Sequence, residues 1–347
     1  MPKTRGYAAM SASAPLTPWE FERREVGEND IAIAVEFAGI CHSDIHQARE
    51  EWGKAIFPMV PGHEIVGRVT EVGNKVSNFK IGDLAGVGCY VDSCGECEYC
   101  LIGESHWCLK SPIWTYNGTE RDGKTPTYGG YSQSIVVKAN HALHVPENLD
   151  CSGVAPLLCA GITTYSPLRH WGAGPGKKIA VMGLGGLGHM AVKIAVAMGA
   201  EVTVMSHSDN KREDALAMGV KHFVNTSNRK ELIELKNTFD LIINTVSADL
   251  DLSSYLETLR MHGSLVVVGI PEKPYVISPN NLLGRQRSLA GSSIGSIKET
   301  QEMLDFCGTH DITSDVEVIK ADYINQAYER VVASDVKYRF VIDATTF

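Results

Sequence analysis

The sequence predicts an α/β protein in two parts: a β-rich domain of short strands and long loops, interrupted by a doubly wound parallel sheet. Three observations predict it. Up to about residue 150, short apolar runs are separated by Gly, Asn and Asp turns. From about 155 to about 292, strand and helix patterns alternate, as a parallel sheet with helical crossovers requires. Within that stretch a glycine-rich turn, Gly183-Leu184-Gly185-Gly186-Leu187-Gly188, follows an apolar strand and opens an apolar helix. The chain has 347 residues, room for two such domains, each with its own core.

The elements follow in chain order. Ile31–Phe37, Ile65–Val72 and Ile135–Val137 are the first strands. Gly73-Asn74, Gly82-Asp83 and Gly129-Gly130 punctuate them, which suggests a compact, barrel-like β domain with long loops. The sheet region supplies six strands: Lys178–Met182, Glu201–Met205, His222–Asn225, Asp240–Thr245, Ser264–Gly269 and Ser288–Ala290. Helical segments such as Gly186–Met198 and Asn210–Met218 fill the gaps. Ser296-Ile297-Lys298-Glu299 has the form of a capping box opening a helix through Phe306. Tyr323–Ala333 reads as a helix and Tyr338–Asp343 as a terminal strand. This tail is expected to return to the first domain, so the expected domains are 1–154 joined with 296–347, and 155–295 inserted between them.

Composition narrows the function. The chain is 44% hydrophobic and 21% charged, with a formal net charge of −9. Nucleic acid and anionic membranes both want a basic face, so neither is expected as a partner. No window reaches the roughly 18 apolar residues of a membrane span. Met1-Pro2-Lys3-Thr4-Arg5-Gly6-Tyr7 lacks the apolar core of a signal peptide, and the expected location is the cytoplasm.

Nine cysteines, an odd number in a reducing compartment, argue against a disulfide framework. Four of them form Cys94-x2-Cys97-x2-Cys100-x7-Cys108 in a lobe spanning 89–110, with Gly95 and Gly103. That spacing matches a closed tetrahedral zinc site, which neutralises the metal and pins a loop. An iron–sulfur cluster or idle thiols are the alternatives. Cys89, Cys151 and Cys307 read as packing residues. A second set begins at Cys41-His42-Ser43-Asp44-Ile45-His46 and continues at Pro61-Gly62-His63-Glu64. Zinc takes thiolate and imidazole ligands, and a catalytic zinc needs three of them plus an open position. Cys41 and His63 form the obvious pair, and Cys159, in Pro156-Leu157-Leu158-Cys159-Ala160-Gly161, is the best remote third. Taken singly, each would more often be a buried hydrophobe or a satisfied core histidine.

The glycine turn lets a pyrophosphate approach a helix N-terminus, where free N–H groups and the helix dipole favour anions. Gly183, Gly185, Gly186, Leu187 and Gly188 are therefore candidate dinucleotide contacts. An acidic residue about 20 positions on would bind the ribose of NAD. Here the next strand ends at Ser206, followed by His207, Ser208, Asp209, Asn210, Lys211 and Arg212. Hydroxyls and cations suit a 2′-phosphate, so NADP(H) is expected, with Asp209 capping the helix or Ser208 doing so.

Taken together and in order, Pro61-Gly62-His63-Glu64, the four-cysteine lobe, Cys159-Ala160-Gly161 and the glycine turn resemble the zinc-dependent medium-chain alcohol dehydrogenases. More closely, the chain is similar to their cinnamyl alcohol dehydrogenase and bacterial aldehyde reductase branch. The run 155–168, the run Lys298-Glu299-Thr300-Gln301-Glu302-Met303-Leu304 and the ending Asp335–Asp343 also match. The resemblance implies a GroES-like β-rich catalytic domain with a Rossmann domain, two zinc ions per chain and NADP(H). It implies hydride transfer between cofactor and a small-molecule aldehyde or primary alcohol, in a homodimer. It assigns the catalytic zinc to Cys41, His63 and Cys159, the structural zinc to the lobe, and an alternate-ligand role to Glu64. Asp44 would orient the ligand histidine, and Ser43, a cofactor ribose hydroxyl and His46 would relay a proton; His42, Thr163, Ser206, His207, Ser208 and Lys211 would meet the cofactor. Trp52, Trp114 and Ile294 would line the substrate pocket, with Ser293 where several plant members carry phenylalanine. An NAD-linked polyol dehydrogenase of the same fold is the nearer alternative, and a non-catalytic structural or regulatory zinc protein the remoter one.

Overall fold

The computed structural model describes residues 3–12 and 14–347. The chain divides into two compact units: one runs to Cys159 and resumes at Gly295, the other is Ala160–Ile294. The division falls after Cys159 and not after Val154.

The first unit is built on a seven-stranded sheet. Its main path runs Leu143–His144, Leu84–Val87, Ile65–Val72, Asp30–Gly39, Arg339–Asp343 and Val316–Ile319, with Ser134–Lys138 also paired to Asp30–Gly39. The long central strand buries Ile31, Ile33 and Val35 on one face, the period-two pattern of a half-covered sheet. A register shift between Val35 and Phe37 then moves the buried set to even positions, Ala38 and Ile40. Such a bulge flips every later side chain to the opposite face. The core also takes Val69, Ala85, Val137, Phe340 and Ile342 from the neighbouring strands.

The second unit is a six-stranded parallel sheet in the order His222–Asn225, Glu201–Ser206, Lys178–Met182, Phe239–Asn244, Leu259–Val267, Ser288–Gly291. Its inner strands are buried on both faces, as Ile179–Met182 shows. The order reverses beside the first strand, Lys178–Met182, and ligands of doubly wound sheets bind at that switch point.

Most expected strands stand within a residue or two of their places, the strand expected at Ser264–Gly269 runs instead Leu259–Val267, and some helix limits differ. The helix after the glycine turn starts at Gly188, not Gly186, because the turn itself uses the intervening residues. The helix opened by Ser296 runs on to His310, past Phe306. Ser296 Oγ accepts from Glu299 N–H at 3.1 Å. Residues 209–211 form a 3-10 turn ahead of the helix Arg212–Ala217. Among the described residues no helix is long and apolar enough to cross a membrane.

Candidate active site and metal centres

Strand pairing explains why Cys41 and His63 meet. The strand Asp30–Gly39 lies antiparallel to Ile65–Val72 with Ala38 opposite Ile65, and Gly39 N–H donates to Glu64 O at 2.8 Å. The end of one strand and the start of the other therefore share one edge. Arg339–Asp343 pairs on the other side of the central strand, where Ile40 N–H donates to Phe340 O at 2.9 Å. Cys159 arrives at the close of the 3-10 helix Ala155–Leu158. One ligand atom each from Cys41, His63, Glu64 and Cys159 all lie within 4.8 Å of one another, and all four residues are buried. The two sulfurs are 3.9 Å apart.

Asp44 ties this cluster to the backbone. It sits in the first turn of the helix His42–Ala48, and its Oδ2 accepts from Cys41 N–H at 2.9 Å. Its Oδ1 accepts from Gly62 N–H at 3.2 Å and lies 3.0 Å from His63 Nδ1. One carboxylate thus opens a helix and fixes the imidazole with Nε2 directed away from it, the arrangement of a metal-binding histidine.

Arg339 completes the site and was not among the residues singled out from the sequence. Its Nη2 donates to Glu64 Oε1, while Glu64 Oε2 is buried without a partner. A Cβ at Gly39 would come 2.0 Å from Glu64 Oε2, so only glycine leaves that carboxylate its space. Burial raises the Glu64 carboxyl, and Arg339, paired with it, pulls the other way. Arg339 is held firmly charged: burial opposes the charge, but Glu64, Cys41 and Cys159 outweigh it. The hydrogen bond from Cys159, with Arg339 and His63, drives Cys41 far towards thiolate, and Cys159 is pushed up in turn. Cys89, read from sequence as packing, stands with this group: it is one of the causes raising Cys159, and its sulfur lies 3.9 Å from Leu158 O.

The other expected site residues fall in three places. Ser43 Oγ is 3.5 Å from Cys41 Sγ. His46, on the same short helix, pairs through Nδ1 with Glu51 and stacks on Trp52 at 4.7 Å and 22°. Glu51 was missed; its only sequence signal is an acid shortly beyond the helix end. His42 lies 5.8 Å from His46, ring to ring. Trp114 is half exposed on a two-residue strand paired antiparallel with Tyr90–Asp92, and Ile294 ends the second unit with φ 42°.

The lobe brings the ligand atoms of Cys94, Cys97, Cys100 and Cys108 within 4.8 Å of one another. Cys94 and Cys97 N–H donate to the sulfurs of Cys108 and Cys94, and Leu109 N–H to that of Cys97, each at 3.4 Å. Backbone donors at Cys100 and Leu109 lower the Cys97 thiol to about 6. Four sulfurs ringed by N–H donors form a closed thiolate site.

In the second unit, Gly183 has φ 85° and a Cβ at Gly185 would meet nothing within 4 Å, which leaves the turn open to a ligand. Thr163 is buried in the helix Ala160–His170. Ser206 and Ser208 are half-buried and His207 exposed. Lys211 Nζ reaches back to Leu184 O at 2.9 Å. Asp209 does not cap the helix: it pairs with Arg212 at 2.6 Å and accepts from Asn225 at 2.8 Å. Ser208 makes no side-chain cap either.

Residues 27–147 match the alcohol dehydrogenase GroES-like domain, and 186–309 the zinc-binding dehydrogenase domain. Over its full length the chain is 56% identical to NADP-dependent alcohol dehydrogenase C 1 of Mycolicibacterium smegmatis, covering 99% of that protein. The chain belongs to the zinc-dependent medium-chain alcohol dehydrogenases. This dehydrogenase is also 51% identical to the aldehyde reductase YahK of Escherichia coli, over 99% of both chains. A cinnamyl alcohol dehydrogenase structure from Sorghum bicolor superposes with a TM-score of 0.96 at 44% identity, over 99% of this chain and 98% of that one.

The donor sets fit the family's metal. Two thiolates and an imidazole tied down by a carboxylate are ligands of the kind zinc takes. Glu64 Oε2, buried and unpartnered, faces the same cluster.

Proposed function

We propose that this enzyme reduces aldehydes to primary alcohols with NADPH and oxidises those alcohols in the reverse sense. The observation that carries the reading is the buried cluster of Cys41, His63 and Cys159 with Ser43 Oγ 3.5 Å from one of its sulfurs. When bound, zinc supplies Lewis-acid polarisation and NADPH the hydride. The remaining work falls to the chain. Cys41, His63 and Cys159 hold the metal, and Asp44 holds His63. In reduction Ser43 gives a proton to the substrate oxygen and His46, paired with Glu51, replaces it from outside; in oxidation the same path carries the proton out.

Cofactor choice rests on the end of the strand Glu201–Ser206. A serine stands there, and the nearest acid, Asp209, is engaged by Arg212 and Asn225. Lys211 lies against the glycine turn, beside the expected phosphates. NADPH normally runs as a reductant, which favours aldehyde reduction. The same reading takes the enzyme as a cytoplasmic homodimer acting broadly on aromatic and aliphatic aldehydes, with Trp52, Trp114 and Ile294 around the substrate.

Steady-state kinetics with NADPH and NADH across an aldehyde panel test this. NADPH should win in kcat/KM, and Ser206→Asp should weaken NADPH by like-charge repulsion while sparing NADH. A wild-type preference for NADH would overturn the cofactor assignment. Activity confined to polyols with NAD would establish the polyol dehydrogenase instead.

A further inference from the structure

We propose that Tyr131 is a positioning residue for the catalytic metal: its hydroxyl, donated to Asp44, steadies the carboxylate that steadies His63. Tyr131 is completely buried, and its Oη donates to Asp44 Oδ2 at 3.1 Å. Asp44 Oδ2 also accepts from Cys41 N–H, and Oδ1 takes Gly62 N–H and faces His63 Nδ1. Removing the phenol therefore takes a donor from a carboxylate that locks two metal ligands at once.

The surroundings are built to put that phenol there. Gly129, Gly130 and Tyr131 donate their N–H groups to Val60 O, Gly62 O and Pro61 O at 2.7, 2.9 and 3.0 Å. The tyrosine segment is thus laced along the turn that presents His63. Its ring passes so close to Gly62 that a Cβ there would come within 2.6 Å of it, at a φ of +104°. Arg23, buried, clamps the same segment: Nη2 donates to Gly129 O at 2.8 Å and Ser132 Oγ at 2.7 Å, and Nε to Ser134 O at 2.8 Å. Burying this cation carries a cost, which the hydrogen bonds to the segment's carbonyls and to Ser132 Oγ offset. Burial, then Asp44, raises the Tyr131 phenol well above its usual range, so it stays a donor at any working pH.

Groups that orient metal ligands cost roughly 10- to 100-fold in metal affinity when removed. The inference rests on the zinc reading of the Cys41–His63–Cys159 cluster and is independent of cofactor and substrate. The experiment is zinc release from the holoenzyme to a chelator, with the four-cysteine lobe as internal control. In Tyr131→Phe, one of the two zinc ions should leave on the order of 10-fold faster or more. The lobe zinc and the urea midpoint should stay at wild-type values. Tyr328→Phe removes a neighbouring buried hydroxyl, its ring 6.4 Å from that of Tyr131, and should change neither release rate. Both ions leaving Tyr131→Phe within about threefold of wild type (roughly 0.65 kcal/mol of barrier) would overturn the proposal. Both leaving faster together with a lowered midpoint would overturn it too, since Tyr131 would then be plain core. A wild-type chain carrying only the lobe zinc would overturn the metal assignment itself, a distinguishable result.

Discussion

Arg339 and Glu64 form a buried ion pair against the Cys41–His63–Cys159 cluster, with side-chain exposures of 7% and 0%. The charges are taken out of water, so each depends on the other. Replacing one partner leaves the other buried and uncompensated, which typically costs about 3–5 kcal/mol. Arg339→Met should therefore lose about that much stability, and it also removes the cation facing Cys41 and Cys159. Urea unfolding of the zinc-loaded variant measures it. A loss below about 1 kcal/mol, the scale of a surface pair, would show that Glu64 is neutral or solvated in the folded enzyme.

Acid should weaken the fold through His141. This histidine is 5% exposed and stands edge-on to Tyr90 at 5.6 Å. Its Nδ1 pairs with Asn140 Oδ1 at 2.8 Å, and its Nε2 is buried without a partner. Burial lowers it from 6.5 to about 4, with Asp92 opposing and Lys138 and Arg121 assisting. A histidine lowered by folding takes up its proton in the unfolded chain first. Its stabilising effect is thus full above pH 6.5, falls as pH drops, and is gone below about 4. Comparing His141→Gln with wild type by denaturant unfolding, the stability difference should shift in the variant's favour by about 3 kcal/mol across that window. A difference that stays flat would mean His141 protonates freely in the fold.

How much of this was readable from sequence depends on how local the cause is. Cys94, Cys97, Cys100 and Cys108 announce themselves because spacing alone fixes a compact lobe. Cys41 and His63 were readable because each adjoins a glycine turn beside a strand, and those strands pair. Arg339 was not, because it lies 275 residues from Glu64 and reaches it only through the register of the last strand on the central one. Tyr131 was hidden for a similar reason: only the lacing of residues 129–131 onto 60–62 turns an ordinary core tyrosine towards Asp44. Cys89 looked inert until Leu158 and Cys159 came beside it. The helix expected to stop at Phe306 runs to His310 because Asp311 takes the left-handed closing position, φ 54°, usually signalled by glycine. Asp209 has the composition of a cap, but Arg212 and Asn225 claim its oxygens.

A substrate oxygen gaining charge in a closed site needs a proton from a placed donor. Ser43 stands two residues beyond Cys41, and its Oγ is 3.5 Å from that sulfur. His46 is one helical turn further along His42–Ala48, on the same side, since residues three apart are neighbours on a helix surface. Glu51 at Nδ1 selects the tautomer in which Nε2 accepts, and Trp52 packs on the ring. A positioned general acid is worth roughly 10² to 10⁴ in rate. Ser43→Ala should accordingly lose on the order of 10²-fold in kcat while keeping both zinc ions and NADPH binding. Ser43→Thr, which keeps the hydroxyl, should retain most of the activity. His46→Ala should lose less than Ser43→Ala, because bulk water can partly replace a group at the outer end. Were Ser43 only a local turn former, its loss would lower stability and leave turnover intact. A Ser43→Ala enzyme within about threefold of wild type (roughly 0.65 kcal/mol of barrier) rules the path out when the chemical step limits turnover. Deuterated NADPH establishes which step that is: a full isotope effect in the wild type means chemistry is being read, whereas its absence places the limit at cofactor release. In that second case single-turnover rates replace kcat in the comparison, and the same threefold margin decides.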